Sequence, residues 1–145
     1  MNNHQKVQAV DTLIHARYVI PVNPKGLVLE NHSIAILENK IVSVFPTEEA
    51  TICYTANHEY QLNQHAIMPG LINAHGHAAM SLFRGLADDL PLMDWLNDHI
   101  WPAEGAWVSE EFVRDGTELA IAEMIRGGTS CFSDMYFFPN IAAQV

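Results

Sequence analysis

The segment from Ala66 to His77 changes from apolar to polar within one short run: it begins with Ala-Ile-Met-Pro-Gly-Leu-Ile and ends in His-Gly-His. Apolar runs of this kind are typical of strands buried in a parallel sheet. A long connection, a helical pattern over residues 109–126 and a second β-prone run at residues 129–133 follow. A strand–helix–strand order is the start of a crossover connection, which pairs its two strands in parallel. The sequence therefore predicts an α/β fold.

The clearest helix is predicted over residues 109–126. Ser109 is a suitable N-cap, the two glutamates after it favour the positive end of the helix dipole, and Arg126 favours the other end. Apolar residues recur in one stripe along this segment. The Gly127-Gly128 pair is expected to end the helix.

The connection over residues 78–106 is expected to hold a shorter helix. Pro91 suits its first turn, and the Trp101-Pro102 step is expected to end it. The region also holds Trp95, Trp101 and Trp107. They could wall a pocket that suits an aromatic ligand, although tryptophans in an apolar loop helix more often serve packing.

Residues 11–66 have the pattern of short strands joined by turns. The clearest feature is a hairpin over residues 33–45, in which Asn39 is best able to adopt the left-handed backbone conformation at the tip. We expect a β domain over residues 1–66, and the first strand–helix units of a second domain over residues 67–145. Weaker β-prone stretches flank the hairpin, at Leu13-Ile14, Tyr18–Ile20, Ile52–Tyr54 and Tyr60–Leu62.

Composition argues against several classes of protein. Seven Lys and Arg residues stand against seventeen Asp and Glu, so the net charge of −10 would repel nucleic acid and anionic membrane surfaces. The polar start, MNNHQKVQAV, lacks the apolar core of a secretory signal, and no apolar run reaches the ~18 residues of a membrane span. Cys53 and Cys131 are expected to be reduced core residues. We expect a cytoplasmic protein with no nucleic-acid and no membrane partner.

His75 and His77 are the residues with the clearest chemical potential. Residues i and i+2 of a strand point to the same face and lie about 6.6–7 Å apart along it. Two imidazoles so placed can converge on one metal ion, although the spacing alone also fits two structural histidines. Their place at the end of an apolar strand, before a long loop, favours metal binding because the sites of parallel α/β folds are built there.

The segment Met68–His77 resembles the first barrel strand of the amidohydrolase superfamily. The loop over residues 79–107, AMSLFRGLADDLPLMDWLNDHIWPAEGAW, is similar to that of the methylthioadenosine/S-adenosylhomocysteine deaminases and their chlorohydrolase-type relatives. The hairpin at residues 33–45 resembles the superfamily's composite β-sandwich, and residues 127–138 resemble its second strand region. The resemblance implies a partial (β/α)8 TIM barrel, first strands only, preceded by part of a small β-sandwich.

The resemblance also implies residue roles and a reaction. His75 and His77 would be ligands of one divalent metal ion, usually zinc, and Glu104 would accept hydrogen bonds from the ribose hydroxyls of a nucleoside. Asp134, after the second strand, is expected to be structural. Many relatives have threonine where this chain has Gly76, which leaves the ligand pair intact but loosens assignment to a subfamily. The implied reaction is hydrolytic deamination of an adenine nucleoside, with water activated by the metal.

The chain is expected to be a fragment of such an enzyme, inactive alone. A (β/α)8 barrel takes about 250 residues, whereas only residues 67–145 are available for it. Two histidines fall short of the three protein ligands typical of catalytic zinc, so the other ligands and the proton-transferring glutamate would lie beyond residue 145. No catalytic residue is assigned within the chain. The remaining histidines receive no role: His4, His15, His32, His58, His65 and His99.

Two alternatives stay open. A related amidohydrolase could use the same two histidines on a triazine, guanine or cytosine-like heterocycle. A non-catalytic truncated module could instead pair with another subunit. As an enzyme the protein would have a small-molecule nucleoside or heterocycle as its partner, and we expect the full-length protein to be a homo-oligomer.

Overall fold

The computed structural model describes residues 7–145 of the chain, so His4 and most of the polar start lie outside the described residues. The chain divides into two compact units, one ending at Pro69 and the other running from Gly70 to Val145. The first unit is built on a β-sheet, and the second combines parallel strands with helices. The predicted α/β character is confirmed.

The strands described in the first unit are β1 (Gln8–Val19), β2 (Leu29–Leu37), β3 (Lys40–Pro46) and β4 (Tyr54–Ile67). They form one sheet in the order β3-β2-β1-β4. β1 pairs antiparallel with β2 and parallel with β4, and β2 pairs antiparallel with β3. The apolar core of this unit includes Val10, Leu13, Ala16, Val19, Ile34, Ala35 and Phe45.

The predicted hairpin is β2 and β3, joined by a two-residue turn. Leu37 pairs with Lys40, and the intervening Glu38 and Asn39 both have left-handed backbones, with φ of 50° and 62°. Two left-handed residues in succession define the tight turn whose twist matches that of the flanking strands. The prediction for Asn39 is confirmed, and Glu38 adopts the same conformation.

Two details of the first unit differ from the prediction. The β-prone stretches before the hairpin are one continuous strand, β1, because β2 and β4 both pair along it. Ile52 and Cys53 lie in a helical turn, α1 (Ala50–Cys53), which follows a 3-10 turn at Thr47–Glu49. β3 and β4 lie at opposite edges of the sheet, so the chain must cross between them, and α1 makes this crossing with Ala50 buried.

A buried polar network in the first unit surrounds His15. Its Nδ1 lies 2.6 Å from Oγ of Ser33, and its Nε2 lies 2.8 Å from Oε1 of Glu59. Oγ of Ser33 also lies 2.9 Å from Oγ1 of Thr47. His15 and Ser33 are 3% and 0% exposed. His15, which receives no role from its sequence spacing, therefore ties β1 to both of its neighbouring strands.

The second unit begins with β5 (Leu71–Gly76), after which the chain forms a 3-10 turn at Ala78–Phe83. A continuous helical segment follows later in the same connection. It consists of α2 (Leu92–Asp94), a π-helical stretch (Trp95–Ile100) and α3 (Trp101–Trp107). The connection is therefore more helical than the sequence predicts.

The prediction that the Trp101-Pro102 step ends the loop helix is wrong. In an α-helix a proline lacks the N–H that donates to the carbonyl four residues earlier, and its ring clashes with that carbonyl. Here the N–H of Trp101 donates to the carbonyl of Leu96, five residues earlier. This wider winding relieves the clash, so the helix continues past Pro102.

The predicted crossover is completed by α4 (Glu110–Arg126) and β6 (Thr129–Asp134). The hydroxyl of Ser109 caps the helix by accepting the N–H of the third helical residue at 3.1 Å. Gly128, with φ of +81°, provides the left-handed residue after the helix. Because β6 pairs in parallel with β5, both the helix and the parallel pairing are confirmed. A short helix, α5 (Pro139–Ala142), follows.

Gly116 lets α4 approach the 3-10 turn that follows β5. A Cβ at this position would lie 2.5 Å from the carbonyl oxygen of Ala79 and 2.8 Å from its Cα. Ala79 and Val113 are both fully buried, and Ile141 of α5 packs in the same cluster. This close packing fixes the backbone immediately after His77.

Among the residues that the structure describes, every helix is too short or too polar to span a membrane.

Candidate active site

His75 and His77 lie at the carboxyl end of β5, where the strand gives way to the 3-10 turn. Both side chains are exposed. Their ring centres are 5.2 Å apart and the ring planes meet at 83°. The two imidazoles therefore lie beside each other on one side of the strand, as the i, i+2 spacing predicts.

The separation of the two rings fits a shared metal ion. Imidazole nitrogens bind zinc at about 2.0–2.1 Å, so two imidazoles on one tetrahedral zinc have ring centres about 5 Å apart. Within residues 7–145, no group of three or more His, Cys, Asp or Glu side chains is placed to hold a metal ion. The histidine pair can therefore supply part of a metal site, and the described residues do not complete it.

The hydrogen bond of His77 determines which of its nitrogens can bind a metal. Its Nδ1 lies 2.5 Å from the carbonyl oxygen of Met135. A backbone carbonyl can only accept, so Nδ1 carries the proton, and in the neutral ring the lone pair is then on Nε2. Fixing the tautomer of a histidine through its other nitrogen is the usual way in which proteins prepare a metal ligand.

Asp134 holds the turn that carries His77. Its Oδ1 accepts the backbone N–H of Ala78 at 2.7 Å, and the N–H of Met135 donates to the carbonyl of Gly76 at 3.0 Å. These bonds connect the end of β6 to both sides of His77. They give Asp134 a structural contact rather than a place in the open part of the site.

Glu104 lies on α3 and is half-buried. The hydroxyl of Tyr136 donates to its Oε1 at 2.9 Å. His77 and Glu104 line the same cavity, which has a volume of about 550 Å³. The structure thus brings together two of the residues that the sequence singles out, 27 positions apart along the chain. His75 lies beside His77 but is not among the residues that line this cavity.

The cavity wall is mostly apolar and aromatic. Trp95 and Trp101 line it together with Phe137, so these two tryptophans wall a cavity. Trp95 begins the π-helical stretch and Trp101 begins α3. Trp107 is 70% exposed and is not a lining residue.

Tyr136 is the site residue that the sequence analysis does not identify. Burial, and then the carboxylates of Glu104 and Asp134, raise the pKa of its phenol well above the usual range. The hydroxyl therefore stays protonated and remains a donor at neutral pH. Its position could have indicated a role. Tyr136 follows β6, which pairs in parallel with β5, and site residues gather at the carboxyl ends of parallel strands.

Comparison with known proteins assigns the chain to a family. The amidohydrolase family model matches residues 66–144, and the chain belongs to this family. It is 55% identical, over 92% of its length, to a 5-methylthioadenosine/S-adenosylhomocysteine deaminase from Saccharophagus degradans, and it covers 30% of that protein. The predicted superfamily and the resemblance to these deaminases are confirmed.

Solved structures agree with this assignment. An adenosine deaminase from Xanthomonas campestris with bound zinc is 49% identical, with a TM-score of 0.92 over 96% of this chain and 32% of that one. Atrazine chlorohydrolase from Arthrobacter aurescens, complexed with zinc, is 21% identical and has a TM-score of 0.79 over 92% of this chain and 32% of that one, which shows a shared fold. The chain spans about 30% of the length of the curated relatives that it matches.

Proposed function

We propose that the chain is the N-terminal part of a metal-dependent hydrolase that removes the amino group of an adenine nucleoside as ammonia. The observation that carries the proposal is the cavity in which His77, with Nδ1 bonded to a carbonyl, and Glu104 face the same space. The names of the relatives at 55% and 49% identity support the same reaction. 5-Methylthioadenosine and S-adenosylhomocysteine are the first substrates to test.

In this proposal the two compact units are parts of larger domains. Residues 1–66 would belong to a small β-sandwich, and residues 67–145 would form the first strand–helix units of a (β/α)8 barrel. The parallel β5–β6 pair, with α4 connecting its strands, is the repeating unit of such a barrel. The exposure of Ile72, at 72%, supports the view that further chain covers this sheet.

The metal ligands in this chain would be His75 and His77, with zinc as the metal to test first. The chemistry that such an ion supplies when bound is activation of water, whose pKa falls to about 7. The remaining ligands and the groups that transfer protons would lie outside this chain, so we assign no catalytic residue within it. What the chain itself contributes is two oriented imidazoles and one wall of the substrate cavity.

Glu104 would bind the ribose. A carboxylate offers about four lone-pair positions, so it can accept hydrogen bonds from both hydroxyls of a ribose at once. The bond from Tyr136 occupies one position on Oε1 and leaves the others for substrate. The aromatic wall beside it suits the flat base and an apolar substituent.

The proposal is tested with the complete protein that the reading frame encodes, purified with zinc. We expect stoichiometric zinc, and release of ammonia from adenosine, 5-methylthioadenosine or S-adenosylhomocysteine. Turnover of a triazine, guanine or cytosine with none of the nucleosides would replace the proposal by the related-hydrolase alternative. Zinc binding by the 145-residue chain only when it is mixed with another subunit would favour the non-catalytic module.

Glu104→Gln separates a nucleoside from a bare heterocycle as the substrate. The amide keeps the size of the side chain but removes the charge and half of the acceptor capacity. We expect KM for adenosine to rise by about tenfold or more, because hydrogen bonds to a charged group contribute about 1.5–3 kcal/mol. Equal activity of the variant and the wild type would exclude ribose binding by this residue.

A further inference from the structure

One hydrogen bond joins two distant segments across the candidate site. The hydroxyl of Tyr136, just after β6, donates to Oε1 of Glu104 on α3 at 2.9 Å. The two residues are 32 positions apart in the chain, and both are half-buried in the wall of the same cavity. Within residues 7–145, Tyr136 is the hydrogen-bond donor found on this carboxylate.

We propose that Tyr136 is a positioning residue that holds the Glu104 carboxylate in the orientation that binds the two ribose hydroxyls. This inference rests on the proposed function, because it assigns Glu104 to the ribose. The phenol takes one lone-pair position of Oε1, and the remaining positions, including those of Oε2, are left for substrate.

The hydrogen bond from Tyr136 matters because a glutamate side chain is flexible. Its side chain has three rotatable bonds and loses much conformational freedom when it binds a ligand. A carboxylate that is already oriented loses less on binding, so substrate binds more tightly.

The same two-residue segment also orients the metal-binding side of the site. The carbonyl of Met135 accepts Nδ1–H of His77, and the ring of Tyr136 lies 6.3 Å from the ring of His77, centre to centre. Consecutive residues therefore hold one group on each side of the cavity.

The experiment compares Tyr136→Phe with the wild type in the complete zinc-loaded protein, on adenosine and on 2′,3′-dideoxyadenosine. Phenylalanine keeps the ring that packs against His77 and removes only the hydroxyl. We expect KM for adenosine to rise about tenfold, which corresponds to roughly 1.4 kcal/mol, with kcat within about twofold of the wild type. KM for the dideoxy substrate should not change, because it lacks the hydroxyls that Glu104 binds.

Two further variants make the result specific. In the Glu104→Gln background, adding Tyr136→Phe should have little further effect, since the two residues act through one contact. Tyr60→Phe, at an exposed tyrosine of β4, is the matched control for loss of a phenol and should leave all constants unchanged. Zinc content should stay at the wild-type level in each variant.

The outcomes are distinguishable. An equal rise in KM on both substrates, no rise on adenosine, or additive effects of the two variants would overturn the role of Tyr136 while leaving deamination intact. A wild-type protein that deaminates neither substrate nor any other adenine nucleoside would overturn the proposed function, and this role with it.

Discussion

His15 in the first unit and His77 in the second are held by opposite kinds of contact. His15 is buried, and its two ring nitrogens are both occupied, by Ser33 and by Glu59. His77 is exposed, and its one hydrogen bond within the described residues uses Nδ1 and the backbone carbonyl of Met135. The first arrangement ties strands together, whereas the second orients a ring and leaves a nitrogen available.

Whether a histidine can serve as a metal ligand depends on the contacts of its ring. The residue type is the same, and the deciding facts are how many ring nitrogens are occupied and whether the remaining one can be reached. A carbonyl partner leaves one lone pair for a metal, while a hydroxyl and a carboxylate on opposite sides of the ring leave none.

Replacing His77 should remove metal. In the complete protein we expect His77→Ala to lower zinc affinity by more than about 100-fold. Loss of a residue that only hydrogen-bonds to a metal ligand already lowers affinity by roughly 10–100-fold, and loss of the ligand itself should cost more. Metal analysis after dialysis against a chelator measures this. His15→Ala should retain zinc at the wild-type level, and a loss of zinc from that variant would remove the contrast.

Gly116→Ala should destabilise the fold near His77. The new methyl group would clash with the backbone of Ala79 at 2.5 Å, and overpacking of this kind costs about 1–3 kcal/mol. The measurement is the free energy of unfolding from urea denaturation. Gly105→Ala on α3 is the matched control, because nothing lies within 4 Å of its added Cβ, and it should be neutral or stabilising by up to about 1 kcal/mol.

His15→Gln should lower stability without affecting metal content. It leaves the buried hydroxyl of Ser33 with poorer hydrogen bonding, at an expected cost of about 1–2 kcal/mol. Urea denaturation measures the loss, and zinc analysis provides the second readout. A stable variant would mean that the network around His15 contributes little to the first unit.

The Arg84–Glu123 ion pair should contribute little to the stability of the fold. The hydrogen-bonded guanidinium of Arg84 lowers the pKa of the Glu123 carboxyl. A lowered folded-state pKa stabilises the fold above the ordinary pKa of glutamate, and this stabilisation is lost as the pH falls through the lowered value. Both side chains are exposed, at 64% for Arg84 and 47% for Glu123. We therefore expect Arg84→Met to lower Tm only slightly at neutral pH and not at all at high salt. A large, salt-independent fall in Tm would contradict this.

Local signals in the sequence predicted local structure well. The hairpin turn at Asn39, the cap at Ser109 and the parallel β5–β6 pair all follow from short-range chemistry or from segment order. The pairing of His75 with His77 follows from strand periodicity alone. In each case the physical cause lies within a few residues of the feature, or in the order of the elements.

Features that depend on contacts between distant segments could not be predicted from the sequence. The contact between Tyr136 and Glu104 joins segments 32 residues apart. Neither a tyrosine nor a glutamate indicates from its type alone which residue it will bind. The carbonyl of Met135 determines the tautomer of His77. Every residue has a backbone carbonyl, so the sequence does not indicate that this one binds a histidine. The prediction that the helix ends at Pro102 was wrong because the usual effect of proline assumes α-helical winding. The stretch before Pro102 is π-helical.

The π-helical stretch at Trp95–Ile100 governs which side chain of α3 faces the cavity. Each residue of an α-helix advances by about 100° around the axis, and a π-helical stretch acts as one added residue in that rotation. If the same residues were wound as an α-helix, Glu104 would turn away from its present direction by roughly a quarter of a revolution. Ala103, which has no side-chain group to accept a hydrogen bond, would then take the direction that Glu104 has now.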